Sequence, residues 1–230
     1  MKDSIFNSKS KIAVLVFTCF AITGFSQSKS YWSSGGEMLF SFANISDQGI
    51  DASSTLRWAP VINLQGTYNH DIGNKAGFFS GLAVRNVGYI YDGYQERTAV
   101  EGEMGNWYKK KFRTYNIAVP LGLKFGNMDG MFIYGGYEVE LPFVYKEKTF
   151  DQGDKIDSNV DWFSSRVETF QHGFVAGVQF PYGLNVRFKY YMSEFHNQDY
   201  TESTGVKPYS GLESHIMYFS LGYNLSWDKE

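Results

Sequence analysis

The chain has 230 residues and a formal net charge of −3, and 18% of its residues are aromatic. This length suits one all-β domain, and so small a net charge gives no reason to expect nucleic acid or another strongly charged partner. The mildly polar mean hydropathy excludes a bundle of membrane helices.

The first residues have the pattern of a secretory signal peptide. Three lysines, Lys2, Lys9 and Lys11, precede the apolar run IAVLVFTCFAI at positions 12–22. A run of 11 residues is too short to cross a bilayer as a helix. Gly24-Phe25-Ser26 is a small-x-small cleavage site, so we expect residues 1–26 to be removed. An uncleaved anchor is the alternative.

The only cysteine, Cys19, lies inside this apolar run. Phe17 and Thr18 before it do not fit a lipoprotein signal, which needs small residues there. The mature chain therefore has no cysteine, and an exported protein without disulfides must be stabilised by other means.

Alternation of apolar and polar residues with a period of two predicts eight β-strands. In chain order they cover 37–45, 59–70, 77–88, 112–125, 133–146, 173–180, 184–193 and 216–227. The alternation places Tyr145 on the apolar face of the fifth strand and Lys146 on its small and polar face. Transmembrane strands are about 9–11 residues long, longer than the usual strand of a globular protein.

The connections between these strands alternate in length. Those after the second, fourth and sixth strands are short, whereas the longer ones include segments 92–111, 147–169 and 196–214. An even strand count with short turns at one end and long loops at the other is typical of an outer-membrane barrel. We therefore predict that residues 27–230 form an eight-stranded antiparallel up-and-down transmembrane β-barrel with both termini in the periplasm. A soluble lipocalin-like barrel is the alternative.

Charged residues within the predicted strands share the small and polar face. They are Glu37, Arg85, Lys124, Glu138, Glu140, Arg187 and Lys189. An eight-stranded barrel is just wide enough for its side chains to fill it. The pattern therefore predicts an ion-pair network in the lumen, although two glutamates two positions apart could also suggest paired-carboxylate catalysis.

Five segments resemble the small outer-membrane β-barrel family of Gram-negative bacteria often called PorT-like. They are Arg57-Trp-Ala-Pro60, the strand Tyr115 to Phe125, Gly135-Gly-Tyr-Glu138, Leu184 to Tyr190 and Phe219 to Leu225. The resemblance covers nearly all of the mature chain. It implies the barrel fold and an outer-membrane location, and it implies little about activity.

One acidic stretch has the spacing of oxygen ligands in a calcium loop, with Asp157, Asn159, Asp161 and Glu168 as the candidate ligands. Trp162 occupies the position where such a loop needs glycine, and no flanking helices are predicted. The sequence favours a solvated acidic loop and no metal site.

A second group at the predicted outer rim has residue types found in lipid-modifying barrel enzymes: His196, Asp199, Glu213, Ser214 and His215. These types also occur together by chance in polar loops. We therefore predict no catalytic residues and no cofactor.

The predicted function is that of a non-enzymatic outer-membrane protein with a structural role or one mediated by its loops. Its expected partners are membrane lipid and a protein or surface ligand that binds segments 92–111, 147–169 and 196–214. A narrow channel for small solutes is the alternative, and a lipid-modifying enzyme is a weaker one.

Overall fold

The computed structural model describes residues 28–98 and 105–227, so the predicted signal peptide, residues 1–26, lies outside the described residues. The described chain forms antiparallel strands with one short 3-10 turn, Pro181–Gly183. The strands are β1 (Ser28–Asp47), β2 (Ile50–Thr55), β3 (Arg57–Ala59), β4 (Leu64–Ile72), β5 (Ala76–Gln95), β6 (Trp107–Gly126), β7 (Phe132–Asp151), β8 (Asp154–Trp162), β9 (Gln171–Gln179), β10 (Leu184–Tyr191) and β11 (Leu212–Trp227).

Eight of these strands form a closed wall. The pairing runs from β1 through β4, β5, β6, β7, β9 and β10 to β11. The last strand then pairs with the first, from Trp32 opposite Trp227 to Asp47 opposite Leu212. Because the ring closes, each of the eight wall strands is paired with a neighbour on both sides. The predicted eight-stranded antiparallel up-and-down barrel is confirmed.

The two ends of the barrel differ. Short turns at 73–75, 127–131 and 180–183 lie at one end, together with Ser28 and Trp227. The connections at the opposite end are longer, and we call the two ends the short-turn end and the long-loop end. At the long-loop end β2 pairs with both β1 and β5. There β8 also pairs with the upper part of β7, residues 144–151, and the two strands form a hairpin.

Three of the segments predicted as polar loops are partly strands. Within 92–111, β5 continues to Gln95 and β6 begins at Trp107, while residues 99–104 lie outside the described residues. Within 147–169, β7 and β8 form a hairpin, and within 196–214 the strand β11 begins at Leu212. Every residue of β8 is exposed or half-buried, so the sequence of this strand needs no apolar alternation and gave no strand signal.

The side-chain faces predicted for the upper part of β7 are wrong. Tyr115 pairs with Val144 but Asn116 pairs with Pro142, so one extra residue is inserted at Phe143. Such a bulge reverses the faces beyond it. Tyr145 therefore points into the barrel, where it is 1% exposed, and Lys146 points outward.

Candidate functional site

Six of the seven predicted lumen charges meet at the middle of the barrel, and we call them the central ion cluster: Glu37, Arg85, Glu138, Glu140, Arg187 and Lys189. Each is buried. Alternation along β1, β5, β7 and β10 points all six inward from different sides of the wall.

The ion pairs form one connected chain. Arg85 bridges Glu37 and Glu138, with its Nη2 atom 3.0 Å from Oε2 of Glu138. Lys189 bridges the two β7 carboxylates, with Nζ 2.7 Å from Oε1 of Glu138. Arg187 completes the cluster at 3.3 Å from Oε1 of Glu37. Three cations face three carboxylates, so the buried cluster is neutral.

Neutral side chains satisfy further polar atoms of the cluster. Oε1 of Gln65 accepts hydrogen bonds from Arg187 at 2.7 Å and from Arg85 at 3.1 Å. The Tyr191 hydroxyl donates to Glu140 at 2.7 Å. The Tyr134 hydroxyl accepts from Nε of Arg187, and its ring fits only because Gly177 has no Cβ, which would lie 2.4 Å from that ring. Buried charges are tolerated when paired and hydrogen-bonded in this way.

The seventh predicted lumen charge, Lys124, does not join this cluster. Its Nζ lies 2.5 Å from Oδ1 of Asp71 and 3.1 Å from the Tyr31 hydroxyl, nearer the short-turn end. Asp71 was missed because the sequence placed it in a turn, whereas β4 continues through it. A cavity of about 310 Å³ is lined by Lys124 and by Arg187 of the central ion cluster.

Aromatic side chains fill the lumen at the long-loop end, and we call them the aromatic plug: Tyr89, Phe112, Tyr145, Phe195, His196 and Tyr209, all buried. Phe195, His196 and Tyr209 of segment 192–211 are buried in the barrel mouth, whereas other residues of the segment, such as Met192 and Ser203, are exposed. His196 stacks on Tyr209 with ring centroids 4.2 Å apart, and Tyr89 places its hydroxyl 3.1 Å from Nε2 of His196. Burial lowers the pKa of His196 to about 3, so the ring is neutral at physiological pH.

The rim residues considered for catalysis do not form a catalytic arrangement. Ser214 and His215 are neighbours on β11 and point to opposite faces. His215 places Nε2 2.9 Å from a carboxylate oxygen of Glu194, and Asp199 lies on the surface 3.6 Å from Lys207. His196 belongs to the aromatic plug. In the described residues neither His196 nor His215 is hydrogen-bonded to the Ser214 hydroxyl, so the structure does not join them as base and nucleophile.

The four calcium-ligand candidates lie on two parts of the chain. Asp157, Asn159 and Asp161 alternate along β8, and Asn159 donates a hydrogen bond to Asp161 at 3.0 Å. Arg166 lies 3.5 Å from the same carboxylate. Glu168 follows in the next connection. Within residues 28–98 and 105–227 no three or more His, Cys, Asp or Glu side chains gather as metal ligands.

The outer surface of the wall is apolar. Each wall strand exposes at least one large apolar side chain, with 39–63% of its surface accessible. We call this set the apolar belt: Met38, Leu64, Leu82, Leu121, Val139, Phe174, Leu184 and Leu221. Apolar residues outside and charges inside reverse the arrangement of a soluble barrel. Among the described residues, no helix has the length and apolar character needed to cross a membrane.

No protein-family model matches the chain, and no curated protein matches it. The PorT-like resemblance therefore stays a prediction. Solved structures of small barrels are similar at low identity. Ail, the attachment invasion locus protein of Yersinia pestis, was solved with the heparin analogue sucrose octasulfate; it is 14% identical, with 85% of this chain and 99% of that chain covered and a TM-score of 0.39.

Two further solved structures are similar to a comparable degree. Neisserial surface protein A is 12% identical, with 88% of this chain and 100% of that chain covered and a TM-score of 0.38. The outer membrane protein OprG from Pseudomonas aeruginosa is 11% identical, with 87% and 97% covered and a TM-score of 0.35. The strand pairings, and not these similarities, establish the barrel.

Proposed function

We propose that this chain is an outer-membrane β-barrel protein with a closed lumen, that it is not an enzyme, and that it acts through its long-loop end. The observation that carries the proposal is the apolar belt around a barrel whose interior is charged. A large apolar surface on a water-soluble monomer promotes association, whereas in a bilayer the same surface is the favourable one.

Exposed aromatic residues at the short-turn end support the membrane orientation. Tyr68, Phe125, Tyr223 and Trp227 are between 37% and 55% exposed. Aromatic side chains favour the interface between lipid and water. Short turns face the periplasm in outer-membrane barrels, so we infer that both termini are periplasmic and that the long-loop end faces outward.

The closed lumen disfavours the channel. The central ion cluster and the aromatic plug occupy successive levels of the lumen, and the members of both are buried. The cavity at the short-turn end is lined by Lys124 and Arg187, and no other member of the central ion cluster lines it. A transporter would need the cluster to open, which would leave buried charges without partners.

The β7–β8 hairpin supports a role in protein binding. Within the described chain β8 pairs only with β7, so its other edge carries backbone groups without a strand partner. Ile156, Val160 and Trp162 are between 49% and 69% exposed on this strand. A free edge beside exposed apolar side chains can accept an extended segment of a partner protein.

Two experiments test the proposal. In planar bilayers the purified protein should show no steady conductance, whereas stable ohmic channels would favour the transporter. On intact cells a photo-crosslinking residue at Val160 should form a discrete protein adduct, and the same residue at Asn74 in a short turn should not. Adducts of equal yield at both positions would refute binding through the hairpin.

A further inference from the structure

Five cations gather on the outer surface of the wall near the long-loop end, and we call them the basic patch: Arg57, Lys111, Arg113, Lys146 and Lys148. They line one outward cavity of about 220 Å³ together with Trp58 and Ile90. Lys146 and Lys148 face this side because the bulge at Phe143 turns them out of the lumen.

The register places like charges directly opposite each other. Lys111 lies opposite Lys148, and Arg113 lies opposite Lys146, on the paired strands β6 and β7. Like charges facing each other across an antiparallel pair destabilise a sheet. Anions gathered beside these pairs would offset the repulsion.

The residues that the structure describes do not supply those anions. No member of the basic patch lies within ion-pair distance of a carboxylate in residues 28–98 and 105–227. The neighbouring lysines of β6 are paired, since Lys109 lies 2.9 Å from Asp92 and Lys110 contacts Glu147. Arg57 uses its guanidinium to donate to the backbone and side-chain oxygens of Asn86, which fixes it beside the other four cations.

The height of the patch on the wall indicates the source of the anion. Along the outward face of β6, Arg113 is two residues above Tyr115 and four above Ile117, where the apolar surface begins. Trp58 is 62% exposed at the edge of the same cavity. Cations just beyond an apolar surface, beside an exposed tryptophan, lie at the depth of lipid head groups.

We propose that the basic patch binds the phosphate groups of membrane lipids in the leaflet at the long-loop end. Arginine binds phosphate through two parallel N–H donors, and lysine adds point charge around it. The half-buried position strengthens these contacts compared with fully exposed cations. This inference depends on the proposed membrane location, and it adds a ligand class and a site to it.

The test measures lipid binding by the folded protein in an uncharged detergent. The probes are fluorescent diphosphoryl lipid A and the same glycolipid without phosphate. The wild type should prefer the phosphorylated form, and the double variant Arg113→Gln/Lys146→Gln should lose about tenfold or more in affinity for it. The matched control Lys109→Gln/Lys207→Gln removes the same charge from two ion-paired cations outside the basic patch and should bind like the wild type.

The remaining outcomes distinguish binding of lipid phosphate by the basic patch from other causes of a change in lipid affinity. Equal affinity for both glycolipids, or equal loss in the control variant, would overturn the proposal. Displacement of the lipid by inorganic phosphate at equal concentration would show a site for free anions and would also overturn it. Without anionic lipid, the double variant should be at least as stable as the wild type, because it relieves repulsion. Heat-modifiable gel migration in vesicles reports membrane folding independently, so a wild type that migrates normally but does not prefer the phosphorylated glycolipid would contradict this inference alone.

Discussion

Replacing Glu138 by alanine tests the central ion cluster most severely. Its carboxylate contacts Arg85 and Lys189, and it is completely buried. Removal leaves three buried cations with two carboxylates, since Glu37 still pairs with Arg85 and Glu140 with Lys189. Removing one partner of a buried ion pair lowers the free energy of unfolding by about 3–5 kcal/mol. Because Arg85 and Lys189 each keep a second carboxylate, we expect a loss near the lower end, about 3 kcal/mol.

Urea unfolding in lipid vesicles, followed by tryptophan fluorescence, measures this loss. Asp154→Ala at the exposed start of β8 is the control, and it should stay within about 0.5 kcal/mol of the wild type. The double variant Glu138→Ala/Arg187→Met leaves two intact pairs, Arg85 with Glu37 and Lys189 with Glu140, so it restores neutrality and should recover part of the stability. If Glu138→Ala were as stable as Asp154→Ala, the charges would not depend on one another and the reasoning would fail.

Three further predictions concern topology, acid sensitivity and the apolar belt. External trypsin on intact cells should cut after Lys155 in the β7–β8 hairpin and spare Lys75 in a short turn; cutting only at Lys75 would reverse the orientation. The pKa of His196 in the folded protein is about 3, below the value of about 6.5 for an unfolded histidine. As the pH falls from about 6.5 towards 3, the unfolded chain therefore takes up a proton that the folded chain does not, and the wild type loses stability. His196→Gln should therefore lose about 2 kcal/mol less than the wild type between pH 7 and pH 5 in urea unfolding, and equal losses would show that His196 does not titrate in this way. Leu121→Arg should destabilise the barrel in vesicles by about 2–4 kcal/mol, whereas a comparable loss for the loop control Ser203→Arg would contradict lipid contact at Leu121.

The sequence predicted the wall well because a membrane barrel imposes a strict alternation. Charges and small residues fall on one face of each strand and apolar residues on the other, so the strand count and the inward position of Arg85 or Glu138 follow from spacing alone. The lateral partners do not follow from spacing. Closure and stagger of the ring decide which charges meet, and they place Lys124 beside Asp71 instead of Glu138.

Two features were beyond the sequence pattern. The bulge at Phe143 inserts one residue, and nothing in the alternation of β7 marks it except the neighbouring Pro142, which cannot donate to the ladder. The aromatic plug is a second case. Segment 196–214 reads as a polar loop, yet His196 and Tyr209 are fully buried in the barrel mouth, where they fill the lumen at the long-loop end.

The central claim is that the outer surface of the wall lies in a bilayer, and a measurement of its depth there tests this claim most directly. The mature chain is predicted to have no cysteine, so single fluorophores can be attached at Leu121→Cys in the apolar belt and at Lys155→Cys in the hairpin. In vesicles that contain lipids brominated near the chain ends, the label at Leu121 should be strongly quenched and the label at Lys155 should not. Equal weak quenching at both positions, with protein recovered in solution without detergent, would contradict the membrane barrel.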